Sequence, residues 1–306
     1  MALNTLELAT IFQNKLDAQL AAKATTGWME ANAGQVIYNG GNTIKIPKIT
    51  LVGLGNYNRD DGFPQGATTL EYETKTMTMD RGRTFQLDAM DVNETNFVAS
   101  AGTVMGEFQR LMVVPEIDAY RYSSIYKAAN GASQVRAGYT PDADTILEAL
   151  EEDIAKVEDV VGENAPLIIT MSIPCRSILN QAKNITHYID VADFTAGGIT
   201  TKVKRFNEIP IIAAPSAVMK SAYDFNAGAS TTAGGFTASA GAVQINWIIM
   251  LQTAPIAVSK TDKIRIFAPD TNQKADAWKL DYRKYHDLWI PDNKVKGIYV
   301  CAKAAE

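Results

Sequence analysis

Residues 93–129 read NETNFVASAGTVMGEFQRLMVVPEIDAYRYSSIYKAA. Apolar side chains at Phe97, Ala101, Val104, Met105, Phe108, Leu111 and Met112 recur at steps of three and four, so they share one face of a helix. Glu94, Glu107, Gln109 and Arg110 fall mainly between them. Asn93 opens the stretch with a short polar side chain suited to the first free backbone amides. Pro115 interrupts it, because proline has no amide proton and clashes with the preceding turn. The expectation is a kink there, or two helices meeting near Val114. At ~1.5 Å per residue the helix would be on the order of 50 Å long, the length of a strut. A long amphipathic core helix has the same periodicity.

Upstream the period changes from helical to alternating. VIYNGGNTIKIPKI places Ile44, Ile46 and Ile49 among polar groups and Pro47. The return limb TLEYETKTMTMDRGRTFQL sets Leu70, Tyr72, Thr74, Thr76 and Thr78 against Glu71, Glu73, Lys75, Met77 and Met79. LGNYNRDDGFPQGATT between them has turn chemistry. The pattern predicts one long two-stranded arm over residues 36–87. Such a hairpin is marginal alone in water, and polar groups on both faces leave it no core of its own. It therefore lies on another surface, either a partner or the chain's own sheet. Residues 1–35 form an arm, with helical periodicity at Leu6, Leu8, Ile11, Phe12, Leu16 and Leu20. Trp28 and Met29 follow, set to anchor the arm on another subunit or to pack at home.

Downstream, Thr140-Pro141 opens a second amphipathic helix with Ile146, Leu147, Leu150, Ile154, Val157 and Val161 as its buried stripe, ending at Gly162. Glu148, Glu151, Glu152 and Asp153 read as its solvated side. PLIITMS (166–172) is a short buried strand, and Ser172 caps a helix over IPCRSILNQAKN. Residues 190–207 read as irregular, EIPIIAAP (208–215) as a buried strand, and the small-residue stretch 226–242 as an exposed loop. Strands follow in VQINWIIMLQTAPIAV and DKIRIFAP, with a last one around residues 295–301.

Composition narrows the function. A chain of 306 residues with net charge −5 and no basic cluster is not built chiefly to grip nucleic acid. No apolar run is long enough to span a bilayer, and the N-terminus lacks the form of a secretory signal. Cys175 and Cys301 make no disulfide framework and no metal spacing. His187 and His286 have no ligands at metal-binding spacing. Cys175 and His187 could pair as nucleophile and base, without a recognisable signature. There is no phosphate-binding loop, dinucleotide fingerprint or serine elbow, and Gly53-Leu54-Gly55 reads as turn glycine. No cofactor is expected.

DRGRTFQLDAMDVNET (80–95), VVPEIDAYRYSSI (113–125) and the order of elements along nearly the whole chain resemble the major capsid proteins of tailed bacteriophages with the Hong Kong 97 fold. The resemblance implies an α+β capsid fold. Residues 1–35 would be the N-terminal arm and 36–87 an extended loop over a neighbouring subunit. Residues 88–140 and 261–306 would form the peripheral domain, with spine helix 93–129 and the C-terminal strand in its sheet. Residues 141–260 would form the axial domain. It implies a non-enzymatic subunit of an icosahedral head in the virion, made in the host bacterial cytoplasm and built from pentamers and hexamers of itself. Its expected partners are a scaffolding protein, a portal, a decoration protein and packaged double-stranded DNA contacted non-specifically, with no membrane. Contacts between subunits are expected at Trp28, Arg59, Asp60, Asp61, Phe63, Arg81, Arg83, Glu107, Arg110 and Asp118. The chain begins almost directly with the arm, which implies a separate scaffolding protein or a chain already in mature form. Lys45, Lys48 and Lys75 lie on the hairpin, but nothing identifies a covalent crosslinking partner for them. Two other readings stand beside this one: an encapsulin-type cellular shell, marked by an internal groove for a cargo peptide, and a soluble α/β enzyme using Cys175 and His187.

Overall fold

The computed structural model describes residues 24–38, 41–60, 62–88, 104–182, 189–196, 199–228 and 233–304. The arm helix expected before residue 24, the first turns of the helix expected from residue 93, His187 and Asp61 lie outside these residues.

The core is a mixed seven-stranded sheet in the order β5-β15-β12-β6-β9-β8-β7. Its strands are β5 (Val135–Arg136), β6 (Leu167–Ser172), β7 (Ile189–Ala196), β8 (Ile199–Phe206), β9 (Ile209–Ala214), β12 (Ile245–Leu251) and β15 (Ile298–Ala302). The continuous apolar runs LIITMS and INWIIML are explained by cover on both faces. Leu167, Ile169, Met171, Trp247, Ile249, Tyr299 and Cys301 face helix α2 (Ile146–Val161), where Leu150, Ile154 and Val157 meet them. The alternating Ile168, Ile248, Met250, Ile298 and Val300 pack with Tyr122, Ile125 and Ala129 of helix α1 (Val114–Gly131), and with Trp28 and Met29. Period-two alternation thus divides each strand between two helices. Each large side chain taken fully from water stabilises the fold by roughly 1.5–3 kcal/mol. Helix α3 (Ile173–Leu179) follows β6 directly.

A second sheet, β13-β14-β4, is long and narrow. It joins β13 (Ile256–Phe267), β14 (Ala277–Trp289) and β4 (Met79–Asp88). Met105, Val113, Val114 and Ile117 pack on its Leu280 and Tyr282. A third sheet carries β1 (Ile37–Tyr38), β2 (Thr43–Leu51) and β3 (Thr68–Thr76). A small hairpin joins β10 (Tyr223–Asn226) to β11 (Gly235–Ala238).

Several expectations change. The long helix is continuous from 104 to 131, without a break into two. The proline is accommodated by a π-helical turn at Gln109–Val113, immediately before Val114-Pro115. Pro115 cannot donate to the carbonyl four residues back, so the wider turn bonds the Val114 amide to the Gln109 carbonyl instead. The return limb of the hairpin is two strands. β3 pairs with β2 up to Thr76, whereas β4 leaves the hairpin and pairs with β14. The second helix starts at Ile146, five residues beyond Pro141, because Asp142 closes a turn that accepts the Asp144, Thr145 and Ile146 amides. Ser172 occupies the start of α3 but makes no side-chain capping bond. Residues 190–207, expected to be irregular, supply β7 and β8 on either side of Gly197-Gly198. The 226–242 loop carries β11. The last strand joins β12 and β5 in the seven-stranded sheet and not the β13-β14-β4 sheet.

Candidate assembly surfaces

The hairpin divides into a root and a projecting part. At the root, Ile44, Ile46 and Met77 are buried against Ile256, Val258 and Tyr285. Beyond Pro47 the apolar side chains face water: Leu51 is 70 % exposed, Phe63 86 %, and Leu54 is fully exposed. Ile49, Val52, Tyr57, Leu70 and Tyr72 are exposed with them. The tip has its own order. Asn58 and Gly62 exchange backbone hydrogen bonds of 3.2 and 2.8 Å, and Gly62 takes the positive φ of 82° that such a turn needs. Tyr57 and Phe63 pack with ring centroids 4.9 Å apart and planes inclined by 60°. The tip is thus folded, and its aromatic pair is left uncovered by the rest of the chain. Arg59 and Asp60 sit exposed in the same turn.

On the body, the exposed apolar groups Val104, Leu111 and Met112 lie at the start of the long helix. Beside them a cleft of about 520 Å³ opens between this helix, β4, β14 and the β10–β11 hairpin. Arg81 is fixed at its wall by Glu116 (2.6 Å) and by the carbonyls of Asn226 (2.8 Å) and Gly235 (3.2 Å). Arg83 stands opposite Tyr282 in the sheet register. Its guanidinium lies so close to Gly228 that a Cβ there would come within 2.9 Å. Glu107 and Arg110 form an exposed ion pair at 2.6 Å, one turn apart. A pair that exposed is screened by water and contributes little to the fold.

Two expected contact residues turn inward. Trp28 is 6 % exposed and packs at home, in the core beneath α1. Asp118 is 3 % exposed and has no surface to offer a neighbour. Its Oδ2 accepts from the Thr25 amide (3.1 Å) and hydroxyl (2.8 Å), and its Oδ1 from the Thr26 amide (3.2 Å) and hydroxyl (2.5 Å). Burial, opposed by these bonds, pushes its carboxyl above the usual range. Arg121, buried next to it, donates to the Thr26 carbonyl at 3.0 Å and to Glu30 at 2.5 Å. The three residues clasp the root of the N-terminal arm to the helix. Periodicity could not reveal this, because Asp118, Arg121 and Thr26 are polar groups in buried positions and a hydropathy pattern treats them as surface.

Cys175 is buried in the apolar cluster under α2, and burial drives its thiol well above the ordinary range. A protonated, inaccessible thiol is no activated nucleophile. Among the described residues, no group of three or more His, Cys, Asp or Glu could hold a metal ion, and no helix is long and apolar enough to cross a membrane.

No family model matches the sequence, and no curated protein does. Solved structures match. The mature capsid of bacteriophage PhiM1 superposes with a TM-score of 0.57 at 13 % identity, over 88 % of this chain and 84 % of that one. The capsid of cyanophage P-SCSP1u gives 0.55 at 10 % identity, over 87 % and 84 %. A structure from Gordonia phage Cozz gives 0.54 at 16 % identity, over 87 % and 82 %. The chain has the α+β fold of tailed-phage capsids, the Hong Kong 97 type that the order of its elements implied. At these identities the likeness is one of fold.

Proposed function

We propose that this chain is the subunit of the icosahedral head of a tailed phage, assembling with copies of itself around double-stranded DNA. The observation that carries the reading is the hairpin. Its root is part of the body's core, while Leu51, Leu54, Tyr57 and Phe63 are held in water on a formed turn. A contiguous exposed apolar surface of this kind is what an interaction site presents. In a closed shell each modest contact recurs on every subunit, so the whole is strong without any one interface being so.

On this reading the hairpin reaches over a neighbour, the long helix with the β13-β14-β4 sheet forms the peripheral part, and the sheet around β6 and β9 forms the axial part. The exposed candidates Arg59, Asp60, Phe63, Glu107 and Arg110 are the contacts to examine. A scaffolding protein and a portal are the partners this reading brings with it, a decoration protein being optional, with the subunit made in the host cytoplasm and kept in the virion. Net charge −5 suits a wall that encloses DNA without gripping it.

Electron microscopy of the chain expressed alone, and with a scaffolding protein from the same genome, tests the reading. Closed shells of uniform size are expected. Monomers only, at high concentration and with scaffold present, would overturn it. Shells filled with a cellular enzyme would point instead to a storage compartment.

A further inference from the structure

The projecting hairpin is joined to the body along its return limb by two residues. β3 keeps register with β2 as far as Thr76, opposite Thr43. β4 begins pairing with β14 at Met79, opposite His286. Met77 and Thr78 belong to neither ladder, so any change in the angle between hairpin and body passes through their backbone dihedrals. Both backbone groups of Met77 and both donors of Thr78 are nevertheless held. The Met77 amide donates to the Asn42 carbonyl at 2.9 Å, and the Met77 carbonyl accepts from the Tyr285 hydroxyl at 3.0 Å. Thr78 gives both its amide (2.8 Å) and its hydroxyl (3.1 Å) to Oδ2 of Asp287.

Asp287 is 3 % exposed. Its other oxygen accepts from the Tyr120 hydroxyl at 2.5 Å and from the Leu288 amide at 2.8 Å. One carboxylate therefore gathers four donors from the hinge, the long helix and β14. Each oxygen of the carboxyl thus accepts two hydrogen bonds, within the capacity of its lone pairs. Burial and the hydrogen bond to Asp287 raise the Tyr120 phenol far above its ordinary value, so it remains a donor. The π turn lies upstream of Tyr120 in the same helix, so a shift of that helix would be felt at the carboxylate.

We propose that Asp287 is a latch: it sets the angle of the hairpin to the body at Met77–Thr78 and ties that angle to helix α1 through Tyr120. Its purpose rests on the assembly reading above, but its geometry does not. An angle fixed before subunits meet lowers the ordering cost of each contact that the hairpin makes.

Hydrogen–deuterium exchange on the full, unassembled chain tests the latch. In Asp287→Ala the peptide carrying Met77 and Thr78 should exchange about ten- to a hundredfold faster, as expected when a buried donor loses its partner, with strand β12 unchanged. Tyr120→Phe should raise hinge exchange by a smaller factor, and Thr78→Ser, which keeps both donors, should leave it as it was. Unchanged hinge protection in Asp287→Ala would overturn the proposal, as would a rise of equal size in β12, the mark of general destabilisation. Should Asp287→Ala fail to fold, Tyr120→Phe decides, and unchanged hinge exchange there would overturn it. The readout needs no shell. A chain that never assembled would sink the assembly reading and still leave the latch to stand or fall on hinge protection.

Discussion

Strands β6 and β3 are both in regular sheets, and their surroundings could hardly differ more. Every residue of β6 is buried, with a helix over each face. In β3 most residues are exposed and the strand is the open edge of its sheet. The first region is complete within one chain, and the second is not. Stability is thus concentrated in the sheet around β6, and the hairpin beyond its root adds little buried surface to it. A change in the body should act on folding, and a change in the hairpin should act on association.

The sharpest way to break this contrast is in the core. Trp247 is fully buried and donates to Asp153 at 3.1 Å. Trp247→Ala should cost about 3–5 kcal/mol in denaturant unfolding, from the cavity and the lost partner of a buried carboxylate. A loss under about 1 kcal/mol would mean that the body is not where stability lies.

The pH dependence comes next. His286 is 2 % exposed, and burial, with Arg121 and Lys284 near it, holds its imidazole well below the ordinary 6.5. The unfolded chain takes up a proton at this residue near pH 6.5 and the folded chain does not. Stability due to His286 is therefore present above that pH and lost as pH falls below it, by up to ~1.4 kcal/mol per pH unit. Unfolding measured from pH 7 to 5 should show this slope, and His286→Phe should flatten it. An unaltered slope would remove His286 from the account.

Pro115→Ala returns an amide proton to the helix just after its π turn. Subunit stability should change by within about 1 kcal/mol, while the helix bend, and with it shell diameter or yield, changes. Identical particles by microscopy would show that the turn is not set by the proline. The smallest effect on folding belongs to the hairpin. Deleting 53–66 should alter unfolding free energy by about 0.5 kcal/mol or less and abolish assembly. Normal shells from that deletion would erase the contrast altogether.

What the sequence disclosed follows the same division. Period-two and period-3.6 patterns revealed β2, α2 and the long helix, because each buries one stripe and exposes another, and the alternation of β3 marked a strand although none of its residues is buried. The apolar runs of β6, β9 and β12 were equally plain. Polar groups in buried places stayed hidden. Thr78, Asp287, Thr26, Asp118 and Arg121 look like surface until partners distant in the chain arrive. Strand alternation continues unbroken through residues 76–79, so nothing local marks the transfer from one sheet to another. The wider turn before Pro115 was also beyond a pattern that knows only one helical pitch. Of the candidate contact residues, Phe63 and Arg59 are exposed as a surface position requires, whereas the buried Asp118 spends its carboxylate on its own chain.

The position of β15 bears on how the protein is made. It lies between β5 and β12, so the central sheet has a gap until residues 298–302 are in place. A nascent chain can build its helices and hairpins early, but the sheet closes only after residue 302 has left the ribosome. The root of the N-terminal arm waits as well, because Asn32 bonds the carbonyls of Gln252 and Pro255, over two hundred residues later. The body thus reaches its folded state only after synthesis has passed both points, so folding of the central sheet follows synthesis and does not accompany it.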